Sequence, residues 1–345
     1  MALWAVTGGS GFLGLHLARD LLADDGVEVR TLDLEVLDPE LAGRGAEGIA
    51  GDVRNASDAA ALCRGADVLV HAAAALPIRG SADTIRSVNV DGTVTLLAAA
   101  AEAGVRRVVF LSSAVVYGLP EALPLTEGTW TAPIEAYGRS KVEAERVCQE
   151  FWARGLGTVV LRPAAFIGPE RLGVFGVLFD WIREGRRIYT LGDGTNRYQL
   201  LAVEDLVRAI RLAAERPVAG ETYNVGASEF GTVAEDLGAL VEHAGSGSRV
   251  TRVPAGIARA ALGALSVARL SPLAEWHYRT ADRDFYCDVS KAERELGWSP
   301  QRSNRAALVS AYDWYVEHRN ELAGDGVTHR TRWSEKALGL LRRIS

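Results

Sequence analysis

A chain of 345 residues can bury one large or two medium cores, and its 48% hydrophobic and 24% charged residues are the balance of a soluble globular enzyme. The net charge of −6 argues against a nucleic-acid binder, which needs a basic stripe or patch. Cys63, Cys148 and Cys287 lie far apart without CxxC spacing, and the histidines are dispersed. The expectation is therefore reduced thiols in a cytoplasmic protein, with neither a disulfide framework nor a metal site. The start, Met1 running into "ALWAV", is too short and uncharged for a signal peptide, and no apolar run is long enough to span a bilayer.

In chain order, "ALWAV" (2–6) is a short apolar run ending at glycines, and "LHLARDLLADD" has helical spacing. "VEVRTLDL" (27–34) returns to strand, and "DVLVHAAA" (67–74) is a buried strand. "SVNVDGTVTLLAAAAEAG" (87–104) is expected as one long helix capped by Gly104. "RRVVFLSS" (106–113) and "GTVVLRP" (157–163) are further strands, with the helix "SKVEAERV" between them. Strand and helix alternating in this way mean parallel βαβ units. After residue 165 the pattern loosens: a helix in "FGVLFDWIREG", a strand and helix over 197–215, a strand in "ETYNVG" (221–226), an Ala-rich helical stretch (255–270), and a helix in "SNRAALVSAYDWYVEHRNEL". The expected fold is α/β, a Rossmann-like doubly wound parallel sheet over 1–165. A smaller C-terminal substrate lobe follows over 166–327, with segments near 197–226 returning to the sheet, and then a tail over 328–345.

Chemistry gathers at strand ends. "AVTGGSGFLGLHLA" sets Gly8, Gly11 and Gly14 directly after a strand and at the opening of a helix. Glycines permit the tight turn and let a pyrophosphate approach backbone N–H groups there, with Phe12 and Leu13 as expected contacts. Asp33 ends the second strand, where a carboxylate accepts hydrogen bonds from adenosine ribose hydroxyls and repels a 2′-phosphate, so NAD is favoured over NADP. Asp52 and Val53 in "GDV" are expected at the adenine, and Ala72 and Ala73 in "HAAA" leave room for the cofactor backbone. His71 itself reads better as a strand-end histidine tied to neighbouring backbone than as a catalyst. Ser112 and Ser113 end the strand before "AVVYG" and are expected to point at the cleft. "YGRSK" puts Tyr137 and Lys141 one helical turn apart on one face.

Taken together, "TGGSGFLG", "GDV", "HAAA", "NVDGT", "SSAVVYG", "YGRSK", "LRPAAFIGP", "LAVEDL", "YNVG" and "ERELGW" make the chain resemble the extended short-chain dehydrogenase/reductase family nearly end to end. The resemblance implies Ser113, Tyr137 and Lys141 as the catalytic set, and Pro163, Tyr137 and Lys141 as further NAD contacts. It also implies that Asn89 supports the adjoining helix or a water, and that the protein is a homodimer. Lys141 and the nicotinamide charge are expected to pull the Tyr137 phenol below its ordinary value near 10. The family spans epimerases, 4,6-dehydratases, decarboxylases and reductases of steroid-like ketones. Ala114-Val115 stands where a 4,6-dehydratase carries Asp-Glu, which disfavours dehydration. Nucleotide-sugar epimerases usually have Asn at the place of Ala165 and Arg at that of Tyr198, and losing both weakens diphosphate binding unless Arg197, Arg279 or Arg283 substitutes. "RPAAFIGP" and "NRYQLLAVEDL" look more like the 3β-hydroxysteroid and sterol dehydrogenase branch. The expected activity is hydride transfer at a secondary alcohol or ketone, with a hydrophobic or nucleotide-sugar substrate. A nucleotide-sugar epimerase is the runner-up, and a catalytically silent NAD-binding regulatory module the alternative from another class.

"VPAGIARAALGALSVARLSPLAEWHY" (253–278) reads equally well as core or dimer packing and as an apolar pocket wall. "THRTRWSEKALGLLRRIS" (328–345) reads as a helix packed on protein, with peripheral membrane contact the weaker reading.

Overall fold

The computed structural model describes residues 2–76, 81–256, 260, 279–322 and 330. The Ala-rich stretch and the tail proposed from the sequence therefore lie largely outside the described residues. Seven parallel strands make the central sheet: β1 (Ala2–Thr7), β2 (Val27–Asp33), β3 (Glu47–Ala50), β4 (Val68–His71), β5 (Arg107–Leu111), β6 (Thr158–Pro163) and, after three strands outside this sheet, β10 (Thr222–Val225). Their spatial order is β10-β6-β5-β4-β1-β2-β3. The order reverses between β1 and β4, and open α/β sheets bind ligands beyond the carboxyl ends of strands at such a point.

Alternation along the strands sorts two cores. Trp4, Val6, Val109, Leu111, Val159 and Leu161 face one layer, packed against α1 (Phe12–Leu21) and α8 (Val203–Glu215). Ala5, Val108, Phe110 and Val160 face the other, packed against α3 (Ala56–Cys63), α5 (Gly92–Glu102) and α6 (Ala136–Ala153). Strands covered on both faces must be apolar nearly throughout, which is why "VLVH" and "RVVFL" read as unbroken hydrophobic runs.

The helix expected over 87–104 begins earlier. After α2 (Pro39–Gly43) and α3 comes α4 (Ala82–Arg86), which passes through a wide turn, Ser87–Asp91, directly into α5. That turn has π geometry, the extra residue shifting the face that follows. Gly104, at φ +72°, stops the helix in the left-handed region.

The smaller lobe carries two parallel strand pairs, β7 (Ala165–Ile167) with β9 (Leu200–Ala202) and β8 (Arg187–Leu191) with β11 (Arg249–Val253). Its core joins α7 (Gly173–Arg183), α9 (Val233–Ala244) and α11 (Asn304–His318), through Phe179, Leu240, Tyr312 and Tyr315 among others. The remaining helix, α10 (Ser290–Leu296), packs its Ala292 and Leu296 into the core of α1 and α8. A capping box at Thr232 and Glu235 starts α9. All three cysteines are buried free thiols, and among the described residues no helix is long and apolar enough to cross a membrane.

Candidate active site

The glycine turn after β1 is too tight for side chains. A Cβ on Gly14 would lie 2.1 Å from the Gly8 carbonyl oxygen, and one on Gly8, at φ +75°, would lie 3.1 Å from the Ala73 nitrogen. The turn thus rests against the end of β4, where the Ala72 and Ala73 N–H groups both donate to Thr7 Oγ1 at 3.1 Å. No side chain caps α1, so its first N–H groups remain open to an anion. Asp33 Oδ2 accepts from Ser10 N at 3.0 Å and Oδ1 from Glu35 N at 3.2 Å, which fixes the carboxylate beside the turn with lone pairs to spare. This cradle fits a dinucleotide: bare backbone for the diphosphate and a fixed carboxylate for the ribose. Asp52 is more occupied than the sequence suggested, because Arg54 Nη2 sits 2.5 Å from Oδ2 and, with further hydrogen bonds, holds the carboxyl below its usual range. Val53 is buried in the core beside Gly92, and Pro163 ends β6 among buried residues.

His71 ends β4, fully buried. Its Nδ1 lies 2.8 Å from Thr7 Oγ1 and its Nε2 2.9 Å from Thr93 Oγ1. Thr93 donates its own proton to Asn89 O at 2.7 Å, so Nε2 carries the imidazole hydrogen and Nδ1 accepts from Thr7. Burial, with Lys141 nearby, pushes the His71 pKa down to about 3. Because the folded protein binds this proton less readily than the unfolded chain, the stabilisation is complete above the unfolded value near 6.5 and declines as pH falls towards about 3. Between about pH 7.5 and about pH 5 that amounts to about 2 kcal/mol. Urea unfolding at the two pH values is expected to read this loss in the wild type, and His71→Asn is expected to lack that share of the pH dependence.

Tyr137 and Lys141 lie in the first turns of α6. Lys141 is 3% exposed, its Nζ donates to Leu111 O at 2.7 Å, and it stands 5.7 Å from the centre of the Tyr137 ring. Burial lowers Lys141 to about 8. The phenol departs from the expectation: burial, with the Glu135 charge, pushes Tyr137 up to about 12, and the cation that opposes this is Arg171. The Lys141 ammonium, donating to the end of β5, is not among the charges that move the phenol.

Ser113 follows β5 in extended conformation and opens the turn Ala114–Tyr117, where its Oγ accepts from Val115 N at 3.3 Å. That turn touches α6, since a Cβ on Gly138 would stand 3.2 Å from Val115 O. Lys141, bonded to Leu111 O and 5.7 Å from the Tyr137 ring, thereby lies at the carboxyl end of β5, and Ser113 follows that strand on the turn that touches α6. Ser112 does not join them. Its hydroxyl is buried and donates to Glu145 Oε1, which also takes Arg162 Nε at 2.9 Å, while Glu145 Oε2 takes Arg162 Nη2 at 2.6 Å. The reason is pleat: neighbouring residues at a strand end face opposite sides. Asn89 Nδ2 donates to Ser140 Oγ at 2.9 Å, and Ser140 donates to Tyr137 O at 2.7 Å. Ser140 was missed in the sequence, although its place between Tyr137 and Lys141 in "YGRSK" was visible.

On the substrate side, Ala165 is exposed on β7 and Tyr198 stacks on Phe285 at 6.0 Å. The Arg197 guanidinium lies 4.6 Å from the Phe230 ring centre and 5.1 Å from that of Tyr286. After Ser113 the chain presents buried Ala114 and then Val115, with no carboxylate at either position.

The family model described as "NAD dependent epimerase/dehydratase family" matches residues 4–226. Uncharacterized protein y4nG of Sinorhizobium fredii is 36% identical over 338 residues, covering 97% of this chain and 84% of its own. A 3 beta-hydroxysteroid dehydrogenase/Delta 5-->4-isomerase of Mycobacterium tuberculosis is 30% identical, with 94% of each chain covered. Among solved structures, the dTDP-glucose 4,6-dehydratase DesIV of Streptomyces venezuelae, with NAD and TYD bound, superposes with a TM-score of 0.75 at 30% identity. That match covers 93% of this chain and 98% of DesIV.

Proposed function

We propose, for a chain that belongs to the NAD-dependent epimerase/dehydratase family, that it is a dehydrogenase or reductase of a secondary alcohol or ketone. In this reading Tyr137 is the acid/base, Ser113 holds the reacting oxygen, and Lys141 orients the cofactor ribose. What supports it is that Lys141 bonds the carboxyl end of β5 beside the Tyr137 ring, and that Ser113 directly follows that strand. Gly8, Gly11, Phe12, Leu13, Asp33, Asp52, Val53, Ala72, Ala73 and Pro163 are the proposed NAD contacts. Bound NAD would supply the hydride acceptor and a positive charge. The chain's own part is to exclude water around Tyr137, hold Lys141 through Leu111 O, and keep Ser113 within reach of a substrate oxygen. The hydrogen bonds from Asn89 through Ser140 to the Tyr137 carbonyl fix the start of α6, so the phenol keeps its place during proton transfer.

The aromatic pair Tyr198–Phe285 and the small Ala165 support a hydrophobic alcohol or ketone. Arg197 over two aromatic rings is the feature that favours the second reading, a nucleotide-sugar epimerase in which Arg197 receives the diphosphate. Mass measurement of ligands copurified with the protein separates the two. A nucleoside diphosphate or its sugar supports the epimerase, and an apolar alcohol or ketone the dehydrogenase.

Asp33 is expected to make NAD bind at least about tenfold more tightly than NADP, about 1.4 kcal/mol. Titration of tryptophan fluorescence with each cofactor measures this, and equal affinities would show that a cation offsets Asp33. A homodimer through α5 and α6 is also proposed, supported by Val94, 43% exposed on α5. Light scattering at micromolar concentration is expected to give twice the mass of one chain, and a single-chain mass would refute it. Three buried free thiols support a reducing, cytoplasmic setting.

A further inference from the structure

Arg171 is half-buried, unlike Lys141 and Arg162, which are buried and hydrogen-bonded. Its Nε and Nη1 are nonetheless buried, and among the described residues neither has a hydrogen-bond partner. It lies 5.2 Å from the centre of the Phe12 ring and 5.1 Å from that of Phe166, two rings stacked 5.8 Å apart and 8° from parallel. Phe12 is the first residue of α1 after the glycine turn, and Phe166 lies on β7, just past the end of β6. Burial lowers the Arg171 pKa to about 9, and Tyr137 is the group whose charge it feels.

The neighbouring acid does not neutralise it. Glu170 is engaged by Arg19 and, at 3.4 Å, by Arg330. It adopts φ +67°, uncommon for a residue with a side chain. His16 Nε2 lies 2.9 Å from Pro169 O, and Arg171 N donates to Gly168 O at 3.1 Å, so the whole turn is pinned against α1. Enclosed guanidinium N–H groups without acceptors are costly for a fold to keep. Held rigidly against aromatic faces, it suits a ligand that brings the missing acceptors, and a planar guanidinium suits phosphate and carboxylate oxygens.

We propose that Arg171 receives an oxyanion, a phosphate or carboxylate borne by the cofactor or by the substrate, in the cleft between the glycine turn and Tyr137. The assignment rests on the reading of the glycine turn as the NAD site. Arg171→Met tests it with three readings on the full-length protein: NAD affinity by calorimetry, inorganic pyrophosphate affinity of the NAD-loaded protein, and the unfolding midpoint without ligand. A tenfold or greater loss of NAD affinity identifies the cofactor's diphosphate as the source. NAD affinity unchanged with a tenfold loss for pyrophosphate identifies a substrate anion. In either case the ligand-free midpoint is expected to stay or rise, because enclosed N–H groups without acceptors have been removed. Arg171→Lys, which keeps the charge and loses the planar fork, is expected to retain part of the binding, and it serves as the second variant if the Met form does not fold. Wild-type affinities for both ligands, or a lowered midpoint with both affinities unchanged, overturn the proposal. Failure of the wild type itself to bind NAD refutes the reading of the glycine turn instead.

Discussion

Tyr137→Phe is expected to fold and to bind NAD like the wild type while hydride transfer falls by about 100-fold or more, the usual worth of a positioned proton shuttle. The substitution removes one oxygen and keeps the ring against Lys141, so the packing at the opening of α6 survives. The burial that pushes the phenol up to about 12 makes it a proton holder at neutral pH in the protein's own field. It is therefore suited to donate during ketone reduction and needs added positive charge to accept during alcohol oxidation. Ser113→Ala is expected to slow turnover with NAD affinity nearly unchanged. Lys141→Ala is expected to weaken both, since its ammonium joins the end of β5 to the proposed ribose site. Stopped-flow absorbance of the reduced nicotinamide measures all three, and wild-type turnover in the Phe variant would remove Tyr137 from the mechanism.

The second large effect concerns stability. Glu145→Ala is expected to destabilise the fold by about 3–5 kcal/mol, because it strands Arg162 in the interior. The pair is buried at 7% and 8% side-chain exposure. Arg162 also donates to the Tyr117 hydroxyl at 2.9 Å, and Tyr117 donates to Asn224 Oδ1 at 2.7 Å, so the loss spreads from β6 to β10. Replacing both members by apolar residues, Glu145→Leu with Arg162→Met, is expected to recover part of the loss, since no charge is then left unpaired. Urea unfolding of the two variants checks both statements. A change below about 1 kcal/mol in Glu145→Ala would mean that water reaches Arg162.

The parallel sheet and the glycine turn were legible because they rest on short-range pattern: apolar runs, a glycine triplet, and Asp33 at the end of the next strand. Tyr137 and Lys141 were legible for the same reason, being one helical turn apart. What the sequence hid depends on facing and on distant partners. Ser112 and Ser113 are chemically identical neighbours, and only the pleat sends one to Glu145 and leaves the other to open the turn Ala114–Tyr117. The wide turn at Ser87–Asp91 reads as ordinary helix, because one extra residue per turn leaves no mark in composition. Arg171 sits in a loop, and its lack of acceptors emerges only when Glu170 is seen to be taken by Arg19 and Arg330. The Tyr198–Phe285 stack joins residues far apart in the chain, beyond the reach of periodicity.

Hydride transfer itself can be watched atom by atom. Reduced nicotinamide cofactor carrying deuterium at its reactive carbon would be incubated with the wild type and with Tyr137→Phe, against a panel of apolar ketones and keto nucleotide sugars. Mass spectrometry of the products follows the label. The account predicts deuterium on the carbinol carbon of at least one product with the wild type, and at least about 100-fold less in the Phe variant. Protein that binds NAD yet delivers no label to any substrate, or a Phe variant that delivers it at the wild-type rate, would contradict it.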